Sequence, residues 1–249
     1  MGCPLHRLES ATVNLITHNS LATEDLSKEI ETRVVGYTKS VLQAAGIEWE
    51  KSTALQRHVG FFGNISNGEI DEKSMVVGLT AIGIGQKQAC LIAHKFVKTL
   101  AEKEGQTKVT VDKIHFGLRT SATNIYKREG ADFDEAIFNK VIENQPMITK
   151  EYFNKVIKED AARDKPELKE ALSHPLATFQ WFFDAKLAAP GEAKTMFELA
   201  ADIQKEDPVT HKAISAFSIE RFKLFFINTS QIFEELSVKN LANRQIIKV

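Results

Sequence analysis

A mostly α-helical fold is predicted by three observations. Apolar residues recur at three- and four-residue spacing along most of the chain, the period of a helix with one buried face. Strand-like alternation is confined to KVTVD at Lys108–Asp112 and to the isolated Ile70, so at most a very short β pairing is expected. Proline and glycine, which interrupt helices, stand between the periodic segments, at Pro146, Pro166, Pro175, Pro190-Gly191 and Pro208. In chain order, Leu26, Ile30 and Val34 open a helix expected to run through Val41 or Leu42. Thr53 starts the next, with Leu55, His58, Val59 and Phe62 on one face. After Gly85 a helix puts Ala89, Ile92, Ala93, Phe96 and Leu100 on one side and Lys87, His94 and Lys98 on the other. Further amphipathic helices fit Asp134–Ile142, Thr149–Asp160, Leu176–Leu187, Glu192–Lys205 and Ser218–Leu236.

The chain has 249 residues, enough for one large domain or two small ones. There is no internal repeat and no evident linker. Residues 1–50 read as an N-terminal helical extension and 51–249 as the main helical domain, the two forming one compact unit. With 32 Lys plus Arg against 33 Asp plus Glu, the net charge is −1, which argues against nucleic-acid or nonspecific membrane binding. The two cysteines, Cys3 and Cys90, form no disulfide or metal-ligand pattern and fit a reducing, cytoplasmic compartment. The longest apolar run, Met75–Gly85, is about half of the roughly 20 residues that span a bilayer, so no integral membrane association is expected. The oligomeric state is not legible.

The stretch Gly63–Ser74 has the skeleton of an EF-hand calcium loop without its ligands. Such a loop has oxygen ligands at positions 1, 3, 5, 7, 9 and 12 and glycine at 6. With Gly68 at position 6, Gly63 falls at 1, Ile65 at 3, Asn67 at 5, Asp71 at 9 and Ser74 at 12. Gly63 and Ile65 supply no side-chain oxygen, and Ser74 cannot replace the bidentate glutamate. Ile70, at position 8, keeps the apolar residue that joins paired loops through a short β bridge.

The block Leu55-Gln56-Arg57-His58-Val59-Gly60-Phe61-Phe62 resembles the LQxHVxFFD helix of the caleosins, the EF-hand haem peroxygenases of oil bodies, with Gly63 where that family has aspartate. Weaker echoes follow in the family's order. They are Ile114-His115, Tyr126, Glu129-Gly130 and Phe133; then Phe179-Gln180-Trp181 with Ala185-Lys186; then Phe217-Ser218-Ile219-Glu220 and Thr229-Ser230-Gln231-Ile232-Phe233-Glu234. The resemblance runs from about Leu55 to Leu236 and implies a caleosin-like helical fold with degenerate EF-hand-like helix–loop–helix units. Three departures qualify what else it implies. The calcium ligands are mostly gone. The family's long apolar lipid-droplet hairpin is replaced by Gln86–Gly105, which is amphipathic and carries six Lys or Glu residues. Of the two histidines the family offers as iron ligands, His58 keeps the first, while the spacing of the second falls on Arg119, which cannot ligate iron as a neutral base.

His58, Arg119 and Tyr126 are therefore the candidate catalytic residues, His115 and Glu129 candidate polar substrate contacts, and Phe62 and Trp181 candidate aromatic walls; no metal site is expected. His58 reads equally as a core histidine satisfied by a hydrogen bond, Arg119 as a surface charge and Trp181 as core. Three functions remain open. One is a haem-free enzyme rearranging or cyclising a hydrophobic small molecule. The second is a haem peroxygenase with His58 as sole axial ligand, acting on unsaturated lipids. The third is a noncatalytic lipid- or partner-binding protein. The ligand count gives one direct expectation: calorimetric titration shows no binding at about micromolar calcium. A one-to-one isotherm in that range, abolished by Asn67→Ala, would contradict it.

Overall fold

The computed structural model describes residues 23–103, 109–113, 135–152, 196–207 and 210–247. Within them the chain is mostly helical. The elements are α1 (Thr23–Glu31), α2 (Tyr37–Ala44), α3 (Ala54–Gly60), β1 (Glu69–Ile70), α4 (Glu72–Ala81), α5 (Gln86–Lys103), β2 (Val109–Thr110), α6 (Glu135–Ile142), β3 (Ile148–Thr149), α7 (Met196–Ala200), β4 (Ile203–Glu206), β5 (Ala213–Phe217), α8 (Ile219–Ile227) and α9 (Thr229–Ile247). One apolar core runs through them. Leu26 and Ile30 of α1 and Val41 and Leu42 of α2 share it with Phe61, Phe62, Val77, Phe217 and Phe233.

The degenerate loop keeps its expected skeleton. β1 pairs antiparallel with β2, setting Ile70 opposite Val109, so both best strand signals meet in one bridge. Asp71 then caps α4, its Oδ1 accepting from the Ser74 N–H at 2.7 Å while Ser74 Oγ accepts from the Asp71 N–H at 3.0 Å. The second sheet repeats this device. Its order is β3-β5-β4, and Ile148 lies opposite Phe217. Each is followed by a capping residue: Thr149 Oγ1 accepts from the Tyr152 N–H, and Ser218 Oγ from the Arg221 N–H. In all three places an apolar bridge residue is followed at once by an N-cap, which turns the chain from strand into helix.

Three helix predictions are corrected. The helix expected from Leu26 through Leu42 is two helices, broken between Glu31 and Tyr37, where Gly36 is left-handed with φ 88°. The break leaves Val34 38 % exposed and turns Arg33 inward, to 2 %. Glu192–Lys205 was expected as one helix, yet the described part holds α7 followed by β4, which pairs along β5 from Ile203↔Ala216 to Glu206↔Ala213. Ser218–Leu236 is likewise two helices, α8 and α9, parted at Asn228. Of the expected helix Thr149–Asp160 the structure describes residues 149–152, helical from Lys150; the expected helix Leu176–Leu187 lies outside the described residues.

α9 ties the parts together. Glu234 accepts from the Gly36 and Thr38 N–H groups, both at 2.9 Å, and so caps α2 across the chain. Asn240 Nδ2 donates to the Ala81 carbonyl at 2.9 Å, at the end of α4. Among the described residues no helix is long and apolar enough to cross a membrane.

Gly68 is required twice over. Its φ is +68°, and a Cβ there would lie 2.5 Å from Ala45 Cβ and 2.9 Å from Ala45 Cα. Gly68→Ala is expected to destabilise by about 2 kcal/mol or more, measured by denaturant unfolding, because strain and backbone overlap add.

Candidate functional site

α3 begins with a capping box: the Gln56 N–H donates to Thr53 Oγ1 at 3.1 Å and the Thr53 N–H to Gln56 Oε1 at 3.0 Å. That box fixes where the short helix starts, and so which way Arg57 and His58 point. Arg57 turns outward. Its Nε donates to the Ile227 carbonyl at 3.1 Å, its Nη1 to the Ser52 carbonyl at 2.9 Å, and its guanidinium lies 5.5 Å from the centre of the Trp49 ring.

His58 turns toward an aromatic cluster. Its ring meets Phe233 edge-on at 5.3 Å between centroids and Phe62 at 6.3 Å. Phe61, Phe62 and Phe233 close on one another at 5.3, 5.3 and 5.4 Å. Phe62 rests on Gly78 of α4, where a Cβ would come within 2.7 Å of the ring. Three elements, α3, α4 and α9, thus build one wall, and Phe62, an expected substrate contact, is buried within it.

His58 is half-buried, and desolvation among these rings is what acts on it. Desolvation penalises the imidazolium and lowers its pKa from 6.5 to about 4, so the imidazole is neutral at physiological pH. A neutral imidazole this hard to protonate is a poor general base near neutrality. It is suited to donating a hydrogen bond to a carbonyl oxygen, or to ligating iron, which takes the neutral form. Of the two iron ligands that the resemblance implies, His58 alone lies among the described residues. Among them no three His, Cys, Asp or Glu side chains are placed to hold a metal ion.

Of the seven site residues expected from the sequence, His58 and Phe62 are brought together. His115, Arg119, Tyr126, Glu129 and Trp181 lie outside the described residues. Sequence reasoning missed Phe233, which touches His58 from α9. Its signal was present in the echoed block Thr229–Glu234, but nothing local tied that block to α3.

The sign of the pH dependence follows from the lowered pKa. Between pH 6.5 and about 4 the unfolded chain binds a proton at His58 that the folded chain does not. The stability this group contributes is complete above about pH 6.5 and is lost as pH falls toward 4. Denaturant midpoints across that window are expected to fall more steeply for the native chain than for His58→Phe; parallel curves would contradict a lowered pKa at His58.

Comparison with known proteins places this geometry. No curated protein and no solved structure matches the chain. The family model described as caleosin related protein matches residues 50–196, more than half of the chain and inclusive of α3, the loop, α4 and α5. The chain belongs to the caleosin family.

Proposed function

We propose that this caleosin-related chain is a haem-free enzyme that rearranges or cyclises a hydrophobic small molecule, such as a terpenoid, polyketide or lipid. The observation that carries the reading is His58, a neutral imidazole among aromatic rings in the best-matched family block. Arginine occupies the position of the second expected iron ligand, at Arg119. A permanent cation there suits a carbonyl or carboxylate that gains negative charge as bonds reorganise, and suits a ferric centre poorly. In this scheme the neutral His58 N–H polarises a substrate carbonyl and Arg119 stabilises the oxyanion. Tyr126 supplies a further hydroxyl, His115 and Glu129 orient polar groups, and Phe62 and Trp181 shape the apolar wall. The reaction is redox-neutral, needing no oxidant.

The neutrality of His58 also favours a second reading, a peroxygenase with haem held through that nitrogen. Haem would supply oxygen transfer from a hydroperoxide, and the chain would contribute one imidazole and an aromatic wall.

A visible absorption spectrum of the purified protein, with and without added haemin, separates the two. The first reading expects no stoichiometric Soret band in either sample. A stoichiometric band lost in His58→Ala would overturn it in favour of the second. On the native substrate, Arg119→Ala is expected to lower turnover by about 10²–10³, the usual effect of removing one oxyanion donor, with the fold intact by circular dichroism.

A further inference from the structure

The broken calcium loop has a buried cation behind it. Arg33, in the turn after α1, is 2 % exposed. Its Nη1 donates to the Phe61 carbonyl, and its Nη2 to the Ser74 carbonyl at 2.9 Å. Phe61 lies two residues before the loop's first position and Ser74 is its twelfth, so one guanidinium joins the chain entering the loop to the chain leaving it. The cation also lies 4.5 Å from the centre of the Tyr37 ring and 5.6 Å from that of Phe61. Tyr37, four residues on at the start of α2, donates its hydroxyl to the Gly63 carbonyl at 2.9 Å, at position 1. Burial lowers the guanidinium pKa to about 10, which leaves it charged at neutral pH, and Glu29 and Asp71 favour that charge.

The same N-terminal helices occupy the place of the first ligand. A Cβ at Gly63 would lie 2.6 Å from Val41 Cγ1, so a carboxylate at position 1 would collide with α2. Side-chain oxygens of Asn64, Asn67 and Asp71 are engaged within the loop itself. Asn64 Oδ1 accepts from the Ser66 N–H at 2.9 Å and hydroxyl at 2.7 Å, and Asn67 Oδ1 from the Glu69 N–H at 3.0 Å. Asp71 Oδ1 is turned to the Ser74 N–H.

We propose that Arg33 is an internal replacement for the loop's calcium: a cation supplied by the N-terminal helices that clamps the two ends of the loop and fixes α3 against α4 whatever the calcium concentration. The family match begins at residue 50, so the clamp comes from outside the matched segment. The inference does not depend on the reaction proposed above.

Amide hydrogen exchange tests it on the full chain. Two amides report the loop: Gly68 N–H, bonded to the Asn64 carbonyl at 2.8 Å, and Val111 N–H, bonded to the Gly68 carbonyl at 3.1 Å. In the native chain their exchange is expected to be the same in calcium and in chelator. In Arg33→Met both are expected to exchange about tenfold faster or more, while the Ile203–Phe217 hairpin stays as protected as before. Arg33→Lys, which keeps a charge and loses the fork, is expected to fall between them and carries the test if the methionine variant does not fold. Slower exchange on adding calcium to the native chain would overturn the proposal. So would unchanged loop exchange in the variants, or a loss of protection spread equally to the hairpin.

Discussion

One turn of α9 sets the geometry on which the rest depends. Phe233 places its ring against His58, Phe61 and Phe62, and the adjacent Glu234 caps α2 from the far end of the chain. The two contacts support each other. A buried carboxylate is costly unless donors meet it, and Glu234 is 7 % exposed. The unpaired N–H groups at the start of α2 supply those donors, and their dipoles favour the negative charge. With α2 fixed, Val41 and Leu42 close one side of α3, and Phe233 closes another. Ile232 and Leu236, also buried, keep this stretch of α9 in register. The aromatic wall is therefore built by elements distant in sequence, at the entropic cost of closing long loops and with apolar burial offsetting it.

Two basic groups near this wall show how desolvation bears on charge. Desolvation is the largest influence on both and lowers each by a similar amount, Arg33 from 12.5 to about 10 and His58 from 6.5 to about 4. The consequences are opposite because the starting points differ. At neutral pH the guanidinium remains a cation and must find acceptors, which the Phe61 and Ser74 carbonyls provide. The imidazole sheds its proton among the rings of Phe62 and Phe233. Arginine at position 33 and histidine at position 58 are thus not interchangeable basic residues, and which of them stays charged follows from intrinsic pKa.

What the sequence disclosed depended on whether the deciding partner was local. The helix start at Thr53, the start of α5 after Gly85 and the strand signals at Ile70 and Lys108–Asp112 were legible because each is written within a few residues. The break between α1 and α2 was hidden, since Leu26, Ile30 and Val34 continue the helical period straight through it. What ends the helix is the inward turn of Arg33 to carbonyls 28 and 41 residues away. The start of β4, Ile203–Lys205, was read as helix for the same reason: β4 is held by pairing along β5, not by local propensity. His58 was visible from its helix face, whereas Phe233 was not. A regularity that would have helped is the pair of an apolar residue and a cap, Ile70-Asp71, Ile148-Thr149 and Phe217-Ser218, each marking the end of a bridge and the start of a helix.

The loop and the wall belong to one mechanical unit. Phe61 offers its carbonyl to Arg33 and its ring to Phe62 and Phe233, so any shift at the loop's entrance is felt by the rings that surround His58. In a loop held by calcium, that coupling would make the wall responsive to the ion, because the ligands release when it leaves. Here the side-chain oxygens of Asn64, Asn67 and Asp71 are satisfied by backbone, and the first position is filled by Val41 from α2. A geometry maintained by packing and internal hydrogen bonds has one stable arrangement where a ligand-held one has two. Loss of the calcium ligands therefore does more than silence a sensor. It converts a switchable element into a fixed support, which holds the aromatic wall and its imidazole in one arrangement.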